Sequence, residues 1–98
     1  MTSPTELCPE LQALLAEELV AGNRIVDCGR SPHHPQGVLV LLGADFKYRP
    51  STPPPGVDYV EIRDPHWWKV EYVHRASGHV LAARFDSRPS QARSGAGA

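Results

Sequence analysis

The chain lacks a charge surplus of either sign: ten Lys and Arg stand against eleven Asp and Glu, a net charge of −1 over 98 residues. A dedicated nucleic-acid binder or a binder of anionic membrane carries a basic excess, so neither partner is expected. No run approaches the roughly 18 consecutive apolar residues of a membrane-spanning helix. The N-terminus also lacks a charged segment followed by an apolar one, so a cytoplasmic location is expected. Cysteine is scarce: Cys8 and Cys28 are the only two. In a reducing compartment both should be free thiols, and a bridge would need their Cα atoms within about 7 Å. There is no Cys-x-x-Cys, no His-x-x-x-His, no Gly-x-Ser-x-Gly and no glycine-rich phosphate loop. Those absences leave no catalytic residue, metal or cofactor to be expected from motifs, and the chain is not expected to be an enzyme.

What is present reads in order as one small domain over residues 1–86, followed by a tail, 87–98, without apolar periodicity and expected to be disordered. Ser3-Pro4-Thr5-Glu6 has the form of a capping box with proline in the first helical turn. Leu7, Leu11, Leu14, Leu15 and Leu19 then recur at helical spacing up to Gly22, which predicts a helix over 4–21. Strands are expected at Ile25–Cys28, at Val38–Leu42 and at Val57–Arg63. Val38–Leu42 is apolar at every position and bounded by Gly37 and Gly43, the pattern of an interior strand with both faces partly covered. Between the last two lies a long connection rich in proline (Pro50, Pro53, Pro54, Pro55). Acid is concentrated in the helix, where Glu6, Glu10, Glu17 and Glu18 occur without a Lys or Arg.

The stretch Asp64–Asp86 reads as a hairpin holding both tryptophans and three of the five histidines. Its register follows from matching faces, because a one-residue slip inverts the alternation. A four-residue loop, Arg75-Ala76-Ser77-Gly78 with Gly78 left-handed, sets His74 opposite His79 and pairs Tyr72 with Leu81, Val70 with Ala83 and Trp68 with Phe85. A three-residue loop instead sets Trp68 against Asp86 and Val70 against Arg84, burying charge. The four-residue loop is therefore expected. The expected fold is α+β: the N-terminal helix packed on one face of a four- to five-stranded antiparallel meander. Its core should hold Leu7, Leu11, Leu14, Leu15, Ile25, one face of 38–42, Trp68, Val70, Tyr72, Leu81, Ala83 and Phe85.

Three features carry functional weight. Glu18 projects into the leucine stripe. Either the helix end overhangs the sheet and leaves it solvated, or it is a partly buried carboxylate facing a basic or histidine side chain. His74 and His79 are neighbours at the hairpin tip, but metal binding needs further ligands and no spacing in the sequence supplies them. The alternative function, a small enzyme or metal-binding protein, would rest on His74, His79 and Glu18.

The third feature is the sheet face turned away from the helix. One short helix covers one face only. Trp67, Lys69, Glu71 and Val73 should lie on the other, an aromatic and apolar surface amid charges that suits a protein partner or a second copy of the chain. Phe46, Tyr48 and Arg49, in the long connection, are expected to flank it. The leading expectation is thus a non-enzymatic protein-binding module. The framework Gly22-Asn23-x-Ile25, Asp64-Pro65-His66-Trp67-Trp68-x-x-Glu71-Tyr72 and Ser77-Gly78-His79-x-Leu81-Ala82-x-x-Phe85 resembles a group of small single-domain bacterial proteins of unknown function. That resemblance implies no catalytic residue. In size and charge pattern such proteins are similar to immunity proteins that neutralise a partner toxin, an analogy at the level of fold.

Overall fold

The computed structural model describes residues 3–44 and 48–86. It is an α+β domain: a short 3₁₀ turn (Pro4–Glu6), one helix, α1 (Pro9–Val20), and five strands. The strands are β1 (Arg24–Arg30), β2 (Val38–Gly43), β3 (Val57–Arg63), β4 (Trp67–His74) and β5 (Val80–Asp86). Phe46 and the expected tail lie outside the described residues.

The capping box forms as expected: Ser3 caps the turn and the Glu6 side chain accepts from the Ser3 N–H. It does not open a continuous helix, however. Leu7 and Cys8 are extended, and α1 restarts with Pro9 at its first position. The reason is Pro9 itself, whose ring clashes with the preceding turn and biases Cys8 away from helical geometry. At the other end Gly22, with φ of +102°, terminates the helix, and the Asn23 N–H donates to the Glu18 carbonyl.

The sheet is mixed, with order β1-β2-β5-β4-β3. All pairings are antiparallel except β2–β5. The meander is therefore corrected at one point: β3 lies at the far edge, and β5 slots between β2 and β4. The proline-rich connection makes this reachable. Its 13 residues span up to about 40 Å when extended, whereas the crossing covers three strand spacings, about 14 Å. The hairpin register is as expected, with Tyr72 against Leu81, Val70 against Ala83 and Trp68 against Phe85. Gly78 has φ of +75°, and a Cβ there would sit 2.4 Å from the Cβ of His34. Glycine is thus required both by the turn and by the 31–37 loop that docks on it. Ser31, buried, donates its hydroxyl to the Gly78 carbonyl, and the Val38 N–H donates to His79 Nδ1.

The core lies between α1 and the face carrying Val38, Val40, Leu42, Val57, Val70, Tyr72, Leu81 and Ala83. Leu7, Leu11, Leu14 and Leu15 close it from the helix side, and Trp68 packs against it, edge-on to Phe85 at 4.1 Å. Ile25 departs from expectation at 37 % exposure. It sits on an edge strand beside a bulge between Ile25 and Asp27, where the extra residue, Val26, breaks the register with β2.

Candidate functional site

Strand alternation puts Trp67, Lys69, Glu71 and Val73 of β4 on the face opposite α1. Register brings Asp58, Val60 and Ile62 of β3 alongside them on one side. On the other side stand Val80, Ala82 and Arg84 of β5, then Leu39 and Leu41 of β2. Val80 and Ala82 are buried, Leu39, Leu41, Trp67 and Val73 are half-buried, and Val60 and Ile62 are 41 % and 38 % exposed. Among the described residues no helix lies over this face, since both α1 and the 3₁₀ turn belong to the core side. An open hollow of about 340 Å³ at the end of β2 and β5 is lined from both sides of the sheet, by Val26, Leu41 and Arg84 and by Leu42, Ala44 and Phe85.

Two charge pairs on this face close within the chain. Lys69 Nζ lies 3.3 Å from Glu71 Oε2. The Arg84 guanidinium stacks 4.6 Å from the Trp67 ring centroid, a cation–π contact, while Lys69 stands directly across the ladder from Arg84. Arg75 grips Asp58 with its Nε and Nη2, which holds the Asp58 carboxyl below the usual carboxylate range. What remains is apolar surface with Arg84 as an exposed cation beside Trp67.

Tyr48 does not flank this face. It lies on the core side, its ring 5.1 Å from that of Phe85, and its hydroxyl donates to Glu18 Oε2 at 2.6 Å. Arg49, the next residue, is exposed in the connection. The two adjacent tryptophans divide as alternation requires: Trp68 joins the core side, capped by Arg63 at 4.2 Å, and Trp67 the open face.

Glu18 is buried, 4 % exposed, so it is not a solvated overhang. Its partners are neither basic nor histidine: Asn23 Nδ2 donates to Oε1 at 2.7 Å and Tyr48 to Oε2. Tyr72 extends the network, its hydroxyl accepting from the Ser51 N–H at 2.8 Å. Burial, then the Glu18 carboxylate, pushes the Tyr48 phenol far above its ordinary pKa; burial likewise raises that of Tyr72. The network ties the proline-rich connection to the end of α1, which gives Glu18 a structural task. Glu18 and the hairpin histidines cannot form one site. His74 meets Glu10, eight residues earlier, about 12 Å along the helix axis.

The hairpin tip holds a grouping that spacing did not reveal. The Cys8 thiol, the Glu10 carboxylate and the His74 imidazole present donor atoms within 4.8 Å of one another. His74 Nε2 is 3.6 Å from Glu10 Oε1, and His74 Nδ1 is 2.7 Å from the Ser77 hydroxyl. Burial raises the Cys8 pKa, with the Leu11 N–H and the Ser77 side chain opposing and Glu10 adding to the shift. Cys28 is also a free thiol, raised by burial. His79 stands opposite His74 but spends Nδ1 on the Val38 N–H, and His34 spends its own on the Gln36 N–H.

No helix among the described residues is long and apolar enough to cross a membrane. Comparison with protein-family models, with curated proteins and with solved structures returns no match, so the geometry alone carries the functional argument.

Proposed function

We propose that this protein is a non-enzymatic protein-binding module of the cytoplasm, acting through the open sheet face, with a second copy of the chain as the occupant. One observation carries this: a five-stranded sheet with its helix on one side only, and on the other Trp67, Val73, Leu39, Leu41, Val60 and Ile62. Such a surface loses free energy by staying wet, at about 25 cal/mol per Å² of apolar area. Self-association is favoured over a foreign partner by the charges. Lys69–Glu71 and Arg75–Asp58 are neutralised inside each chain, and Arg84 and Asp27 add one further charge of each sign, so two identical faces meet without net charge. A highly acidic or basic partner would instead call for an unbalanced face. The two free thiols fit a reducing compartment.

Sedimentation velocity over a concentration series tests the proposal. The wild type should form a dimer, and Ile62→Glu should remain monomeric with a native far-UV spectrum, since that side chain stands at the solvent-facing edge. A wild type that is monomeric throughout, or a dimer that Ile62→Glu and Trp67→Ala leave intact, overturns it. A monomer that binds a different protein through Trp67 would keep the surface and replace the occupant.

A further inference from the structure

We infer that Cys8, Glu10 and His74 form a binding site for a zinc-class divalent cation, with Ser77 as the residue that orients His74. The three donors are a thiol sulfur, a carboxylate oxygen and an imidazole nitrogen, the mixed set that borderline-soft metals take in sites with three protein ligands. The site is assembled by the fold. Pro9 forces the chain to restart the helix at Cys8, which turns the thiol and the first-turn Glu10 toward the end of β4. The end of β4 then supplies His74, and the β4–β5 turn supplies Ser77.

A second observation points to a ligand independently of proximity. A metal-bound histidine holds its other ring nitrogen in a hydrogen bond that fixes ring orientation. Here Ser77 Oγ engages Nδ1 at 2.7 Å, and Nε2 is left 3.6 Å from Glu10 Oε1. His79 and His34, by contrast, have Nδ1 committed to backbone amides and face other groups. The spread of 4.8 Å exceeds the ~3.5 Å between donors around a tetrahedral zinc ion. Glu10 already lies 3.6 Å from His74 Nε2 and against the Cys8 thiol, so closing the site takes a side-chain rotation of Cys8 toward His74. The Glu10 side chain, 43 % exposed, leaves the fourth position toward solvent, where water completes the shell.

The test uses the full chain without a histidine tag and cobalt(II) as the probe, followed by zinc competition. One equivalent of cobalt should produce a thiolate-to-cobalt charge-transfer band and d–d bands of four-coordinate intensity, both bleached by zinc. Cys8→Ser should abolish the charge-transfer band; serine remains a good helix cap, so the fold is kept. His74→Gln should weaken zinc binding at least about 100-fold, and Ser77→Ala about 10-fold, the usual range for an orienting partner. Cys28→Ser and the double variant His33→Ala/His34→Ala should bind as the wild type does. The inference is overturned if excess cobalt gives no charge-transfer band, if the band survives Cys8→Ser, or if it is lost in Cys28→Ser. It is equally overturned if zinc affinity follows His33 and His34 and not His74.

Discussion

Replacing Tyr48 with phenylalanine removes one oxygen and little else. The ring keeps its place against Phe85, and Tyr72 keeps its hydrogen bonds to Ser51. What is lost is the donor to Glu18 Oε2, on a side chain only 4 % exposed whose remaining partner is Asn23. Hydrogen bonds to a carboxylate contribute about 1.5–3 kcal/mol, and an acceptor left unpaired in the interior forfeits that amount. A loss of about 2 kcal/mol is expected, which for a domain of this size lowers Tm by about 8–16 °C. Urea denaturation monitored by tryptophan fluorescence gives the free energy directly. Glu18→Gln provides the control, because its amide can still meet both Tyr48 and Asn23 and should cost less. A double-mutant cycle of Tyr48→Phe with Glu18→Ala, which removes the acceptor, should show a coupling of at least about 1 kcal/mol. A Tyr48→Phe variant within about 0.5 kcal/mol of wild type, or a cycle without coupling, would refute the assignment of Glu18 to a structural network.

The same tyrosines set an alkaline limit. Their pKa values are raised on folding, so the stability they contribute is full below the unfolded value near 10 and is lost as pH rises above it. Stability should fall by up to ~1.4 kcal/mol per pH unit for each tyrosine still protonated in the fold, and Tyr48→Phe should make the decline shallower; equal slopes in both proteins would contradict this. Gly78→Ala should cost about 2 kcal/mol or more in urea denaturation, from the left-handed backbone and the collision with His34, and a neutral substitution there would remove the basis for the docked 31–37 loop. The tryptophans should separate: Trp68→Ala destabilises by roughly 2–4 kcal/mol, because its ring packs edge-on to Phe85. Trp67→Ala costs under about 1 kcal/mol and acts on association. A reversed order in thermal melts would place the wrong tryptophan on the surface.

The β4–β5 hairpin was legible in the sequence because its alternation is strict and both strands belong to one hairpin, so the turn alone sets which residues meet. The division of Trp67 from Trp68 follows from that alternation. The parallel pairing of β2 with β5 was not legible, since the proline-rich connection is long enough to reach either edge and no local signal selects one. The expected helix over 4–21 passed over Pro9: a proline six residues after Ser3 does not lie inside a continuous helix, and the break at Cys8 follows from it. The metal-ligand grouping escaped motif reasoning for a different reason. Cys8 and Glu10 are two residues apart, but His74 reaches them only through tertiary packing of β4 on the start of α1. Tyr48 was misplaced because hot-spot composition cannot distinguish a tyrosine bound for a surface from one whose hydroxyl a buried carboxylate needs.

Whether two copies meet through the open sheet face is read most directly by isotope-filtered NMR on a mixture of labelled and unlabelled chains. Intermolecular contacts should join Val60, Ile62, Trp67, Leu39 and Leu41 across the interface and should vanish in Ile62→Glu. Contacts centred on the opposite edge, where Leu19, Val20, Ile25 and Val26 are exposed, or no intermolecular contacts at millimolar concentration, would contradict it.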